Sequence, residues 1–157
     1  MTIREKLASR GLVIPPGQVI PPGVTLTYRR LAKSGRTVYV AGHGPTFGDE
    51  WLYLGKIGRD LTVDDGIAAA QLTALNVLGT IERELGSLDD VVQWLRVTGY
   101  VNAVEGFTEQ PRVLNGFSDL LRDLYGPATI ASRTSVGVPD LPFGMSVEVD
   151  AILEWRE

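Results

Sequence analysis

Between residues 62 and 86 the apolar side chains Ile67, Ala70, Ala74, Leu78, Ile81 and Leu85 recur at three- and four-residue steps. That period puts them on one face of a helix. Thr62 is placed to cap it, Asp64 and Asp65 favour the positive end of its dipole, and Gly86 suits its C-terminal stop. Ala68, Ala69, Thr73, Asn76 and Thr80 keep the remaining surface small, as close packing on a sheet requires. A second helix opens near Thr108, tolerates Pro111 in its first turn and ends at Gly126. Its apolar stripe is Leu114, Phe117, Leu121 and Leu124. Residues 2–10 have room for one or two helical turns.

The strand patterns lie around these helices. Residues 24–32 place Val24, Leu26, Tyr28 and Ala32 on one parity, and residues 37–41 are β-branched and aromatic. Trp51 to Leu54 reads as a short strand between glycines. Residues 93–103 alternate Leu95, Val97, Gly99 and Val101 against Trp94, Arg96, Thr98, Tyr100 and Asn102. Strands over 131–138 and 145–155 follow, joined by a Pro/Gly-containing connection. The order β-β-(β)-α-β-α-β-β predicts an α+β domain with a mixed sheet and both helices on one face. The uncovered face calls for a second copy, so a homo-oligomer is expected.

Before the sheet, Val13-Ile14-Pro15-Pro16-Gly17 is echoed by Val19-Ile20-Pro21-Pro22-Gly23. Paired prolines stiffen an extended path. The segment is read as an N-terminal arm (residues 1–23) that packs along the domain (residues 24–157) rather than as a ligand for a proline-binding module.

Composition narrows the chemistry. The chain has 157 residues and a net charge of −4, which disfavours nucleic acid as a partner. It has no cysteine, so disulfides, thiolate metal sites and thiol nucleophiles are excluded. With His43 the single histidine and no clustered Asp/Glu motif, no metal is expected. No apolar run is long enough to cross a bilayer and no signal-peptide core opens the chain, so the expected location is cytoplasmic. The tryptophans are too dispersed for a base-stacking platform and are taken as packing residues.

Two charged side chains stand out near the end. Arg133 shares one strand face with Ala131, Ser135 and Gly137, and Glu148 alternates against Val147 and Val149. Antiparallel pairing of the two closing strands is expected to bring them together. From pattern alone the pair is either a cross-strand ion pair on a solvated face or a site. A guanidinium fork matches a carboxylate in two hydrogen bonds, leaving the glutamate to handle a proton or a water. His43 likewise has two readings: it shapes the turn at Gly42 to Gly44, or it lines a pocket.

Ala131-Ser132-Arg133-Thr134-Ser135-Val136-Gly137-Val138, then Leu141-Pro142, then Val147-Glu148-Val149-Asp150-Ala151 resembles the closing signature of the RidA (reactive intermediate, or imine, deaminase) family, also called endoribonuclease L-PSP-like. Tyr39-Val40-Ala41-Gly42-His43, Gly86-Ser87-Leu88-Asp89-Asp90-Val91-Val92 and the helix containing Asn115 agree in order and spacing. The resemblance implies a chorismate-mutase-like fold, a homotrimer with sites in the clefts between subunits, and no cofactor. It implies hydrolysis of enamines and imines derived from amino acids to 2-oxo acid and ammonia. Arg133 would clamp the substrate carboxylate and Glu148 would activate water and move protons. Tyr28, Ala41, Gly42, His43, Asn115 and Ser135 would line the substrate site. Ala41, His43 and Ser135 depart from the family's frequent serine, glutamine and cysteine, which bears on the substrate more than on the fold. The alternative is a non-catalytic regulator or chaperone-like module binding a small carboxylate in the same cleft. Acidity and the lone histidine weigh against an endoribonuclease, since RNA binding draws on basic residues.

Overall fold

A computed structural model describes residues 1–20 and 22–156. Helix α1 (Ile3–Ser9) is followed by strands β1 (Leu31–Ser34), β2 (Thr37–His43), β3 (Thr46–Phe47) and β4 (Glu50–Trp51). Helix α2 (Val63–Leu85), strand β5 (Val91–Asn102), helix α3 (Gln110–Tyr125), and strands β6 (Ser132–Val138) and β7 (Val147–Trp155) complete the chain. The order in the main sheet is β1-β2-β7-β5-β6, and β3 and β4 form a separate small hairpin.

Helix α2 starts where Thr62 and Asp65 cap each other: the Asp65 amide donates to Thr62 Oγ1 at 3.1 Å and the Thr62 amide donates to Asp65 Oδ2 at 2.8 Å. Its Ala69, Ala70, Ala74, Val77, Leu78 and Ile81 are buried. Helix α3 buries Val113, Leu114, Phe117, Leu120, Leu121 and Leu124. The helices come close at Gly116, where a Cβ would stand 2.0 Å from the carbonyl oxygen of Ile67, so only glycine allows the approach. Both cover the face built from Val147, Val149, Ala151 and Leu153 of β7 and Val97 and Val101 of β5. The predicted mixed sheet with α2 and α3 on one side is present, and α1 is a third helix. It is tied down at its start by the Ile3 amide, which donates to Asp89 Oδ1 at 2.8 Å.

Four local expectations change. The early strand shrinks to Leu31–Ser34, and Val24, Leu26 and Tyr28 lie in irregular chain. The strand expected at Trp51 to Leu54 is instead the β3–β4 hairpin. In β5 a register shift between Trp94 and Arg96 breaks the alternation. Trp94 is therefore core, 1% exposed, and Leu95 faces out at 38%. Most consequentially, β6 and β7 are not neighbours. β5 lies between them, parallel to β6 and antiparallel to β7. The connection between β6 and β7 has length enough to step over a strand, and β5 offers each of them a full-length partner.

The arm runs along α2 and the β3–β4 hairpin. Pro15 is buried, its carbonyl accepts from Arg83 Nη1 at 3.5 Å, and the Val19 amide donates to Asp49 Oδ1 at 2.8 Å. Among the described residues no helix is long and apolar enough to cross a membrane.

Candidate active site

The inserted strand separates the two residues that the sequence brought together. Arg133 is in register with Val97, and Glu148 with Tyr100. Val97 is buried beneath the helices. Arg133 points the same way, from the edge strand onto α3. Glu148 alternates with the buried Val147 and Val149, so it leaves the opposite face of the sheet. The expected cross-strand pair is not formed within the chain.

At the β6 edge the guanidinium is held in a fixed pose. Arg133 Nη1 donates to Asn115 Oδ1 at 3.1 Å and to Ser118 Oγ at 3.0 Å, and Nη2 donates to the Pro111 carbonyl at 3.1 Å. These bonds leave part of the donor fork free. Asn115 and Arg133 are thus brought together, and Ser135 follows two positions along on the same strand face. Ser118 and Pro111 were not foreseen, because their roles depend on how β6 docks against α3.

Across the sheet, a cavity of about 820 Å³ is lined by Tyr28, Gly42, His43 and Glu148. The half-buried Glu148 carboxyl is pushed above its ordinary value, first by burial and then by Asp150. Gly42 provides its space: a Cβ there would lie 2.4 Å from Glu148 Oε1. Ala41, Asn115, Arg133 and Ser135 do not line this cavity.

His43 both lines the cavity and braces its turn. Nδ1 lies 2.7 Å from the Ala41 carbonyl, so this nitrogen carries the proton and donates. Nε2 then accepts from Thr80 Oγ1 at 2.7 Å. Burial lowers its pKa to about 4, so the ring is neutral at physiological pH and both nitrogens are occupied. Asn76 of α2 reinforces the same region by donating to the Thr46 carbonyl at 2.8 Å and the Gly44 carbonyl at 3.2 Å. Asn76 and Thr80 read as mere small packing residues in the sequence. Their signal was that a buried helix face carried amide and hydroxyl groups in need of partners.

Arg30 and Arg83 also reach the cavity, and partial burial followed by the charge of Arg30 lowers the pKa of Arg83. Tyr100 Oη donates to Asp150 Oδ2 at 3.1 Å on the open face. Among the described residues no cluster of three or more His, Cys, Asp or Glu side chains is placed to hold a metal.

A mixed five-stranded sheet carrying two long helices on one face defines a chorismate-mutase-like α+β protein. Residues 7–152 match the family described as "YjgF/chorismate_mutase-like, putative endoribonuclease". The chain belongs to this YjgF/RidA family. It is 40% identical over 122 residues to Protein TCP17 of Trypanosoma cruzi, covering 77% of this chain and 76% of that one. A protein of unknown function from Agrobacterium tumefaciens superimposes with a TM-score of 0.89 at 32% identity, covering 99% of this chain and 93% of the other. RidA from an Antarctic Psychrobacter species has a TM-score of 0.57 and 27% identity, covering 85% and 92% respectively.

Proposed function

We propose that the protein hydrolyses enamines and imines of amino acids to 2-oxo acids and ammonia, in a cleft completed by a second copy of the chain. The observation that carries this reading is the separation of Arg133 and Glu148. A ready anion clamp stands at one sheet edge, and a proton-handling carboxyl stands in a cavity on the other side. A ring of copies, expected to be a trimer, sets the β6 edge of one against the Glu148 cavity of the next.

The chemistry needs little more. Arg133 of one copy binds the substrate carboxylate and fixes the position of C2. Glu148 of the other accepts a proton from water as the oxygen adds to C2 of the imine. That proton passes to nitrogen to give the carbinolamine; the hydroxyl proton is then carried by Glu148 to the same nitrogen as the C–N bond breaks, so that ammonia leaves and the carbonyl forms. An enamine first takes a proton at C3 from the protonated Glu148 carboxyl. Burial suits Glu148 to both steps, because it raises the pKa and so eases protonation of the carboxyl.

The test is complementation. Arg133→Ala and Glu148→Gln chains are each expected to be inactive on imines generated from L-amino acids. Co-expressed, they should recover on the order of a quarter of native 2-oxo acid release, because each site draws one group from each of two copies. No recovery, or a monomeric mass, would sink the shared cleft. Binding of 2-oxo acids by the native protein without turnover would favour a carboxylate-sensing regulator. The single histidine is poorly placed to exchange protons in ribonuclease chemistry, because both its nitrogens are engaged.

A further inference from the structure

The cavity beside Glu148 is larger than the smallest amino-acid imines require. Its volume of about 820 Å³ falls in the range of sites that enclose drug-sized ligands, roughly 300–1,000 Å³. One wall is aromatic. Trp51 and Phe143 stack with ring centroids 4.8 Å apart and an interplanar angle of 24°. Met145 continues that wall, and Val24 and Leu26 of the irregular segment before β1 also line the cavity.

Phe143 is the unusual member. It is 74% exposed although it is a large apolar residue. Its backbone sits at φ 59° and ψ 13°, a left-handed conformation that a bulky side chain normally avoids. An exposed phenylalanine in an unfavourable conformation contributes little to the core. What it does is hold a ring beside Trp51 at the cavity. Backbone strain of this kind concentrates where a fold serves a ligand.

We propose that Trp51 and Phe143 set the specificity of the site, and that they receive a large apolar substituent, of branched-aliphatic or aromatic size, carried by an imino or 2-oxo acid. The inference rests on the deaminase reading for the imine but not for the acid, whose binding is measurable without turnover. A methyl or ethyl substituent leaves most of this wall in water, whereas a benzyl or isobutyl group covers it and gains the corresponding transfer energy.

The experiment compares binding of pyruvate, 4-methyl-2-oxopentanoate and phenylpyruvate to the native protein and to Phe143→Gly and Trp51→Ala, by calorimetry. The larger acids should bind at least about tenfold more tightly than pyruvate to the native protein. Phe143→Gly suits the left-handed backbone, so its unfolding midpoint should stay level or rise. It should nonetheless reduce the preference for the larger acids over pyruvate to within about threefold. Equal affinities in the native protein, an undiminished preference in both variants, or no binding of any acid would each overturn the proposal. Imine turnover is scored separately. Preferential binding without turnover upholds the specificity wall and removes the deaminase reading. Turnover of small imines with no size preference does the reverse. A second copy covering Trp51 and Phe143 in solution would also abolish the size preference, and so counts against the proposal.

Discussion

Arg133 and Glu148 are positioned by opposite means. The guanidinium is tied by hydrogen bonds to Asn115, Ser118 and Pro111, all on α3. The carboxyl is placed by shape, in room left by Gly42. A cation with several bonded N–H groups keeps its charge and its aim, as an anchor must. A carboxyl that is half removed from water finds its charged form disfavoured, which suits it to the proton-carrying role proposed for it. Both groups are partly withdrawn from water, and burial lowers the pKa of Arg133 as it raises that of Glu148; the contrast is that hydrogen bonds aim the guanidinium while the space at Gly42 places the carboxyl.

The largest test of that contrast replaces the anchor. Arg133→Lys keeps the charge but loses the planar fork, and should lower kcat/KM for imine hydrolysis by about 100-fold or more. Near-native kcat/KM would show that charge alone suffices. Glu148→Gln should reduce kcat by about 100-fold. The native rate should also fall as pH drops through the raised Glu148 pKa, and the variant should lose that limb of the profile. Gly42→Ala pushes a methyl group toward Glu148 Oε1, the far end of a flexible side chain that can turn aside, and should change stability by no more than about 1 kcal/mol in chemical denaturation. It should also lower activity on the order of tenfold.

A further test concerns stability and acid. His43 has a folded pKa of about 4 against an ordinary 6.5, so below that ordinary value the unfolded chain takes up a proton that the native chain refuses. Its contribution, on the order of 3 kcal/mol, is present above pH 6.5 and is lost as pH falls toward 4. Glu148 acts in the other direction. Its raised pKa makes the native state bind the extra proton, and that advantage disappears as pH rises through the folded value. Denaturant midpoints followed across this range should show His43→Asn flattening the acid limb. An unchanged limb would assign the acid sensitivity to other groups.

The helices were legible because their signals are local. Thr62, the apolar steps from Ile67 to Leu85 and Gly86 state a helix within one stretch of chain, and α2 follows it from Val63 to Leu85. Alternation correctly placed Glu148 on the face opposite Val147 and Val149, yet it names faces and not neighbours. Nothing in residues 131–155 reveals that β5 stands between β6 and β7, and the Arg133–Glu148 contact failed on that account. Trp94 and Leu95 exchanged roles because the irregularity between Trp94 and Arg96 shifts the alternation by one residue on one side of it, while Val97, Gly99 and Val101 keep the face that the alternation predicts. The cavity was the least legible part. Tyr28, Gly42, His43 and Glu148 could be singled out by resemblance, but Trp51 lies in a two-residue strand, Phe143 in a tight connection, and Asn76 and Thr80 on a helix face, where no period announces a wall.

The position of β7 bears on how the molecule is assembled. It joins β2 on one side to β5 on the other, so the β1–β2 and β5–β6 pairs share no ladder until residues 147–155 arrive. Such a contact pattern is dominated by partners distant in sequence and favours slow, late closure. During synthesis β2 and β5 therefore wait with unpaired edges, and truncation before β7 should expose two sticky strands rather than yield a smaller stable domain.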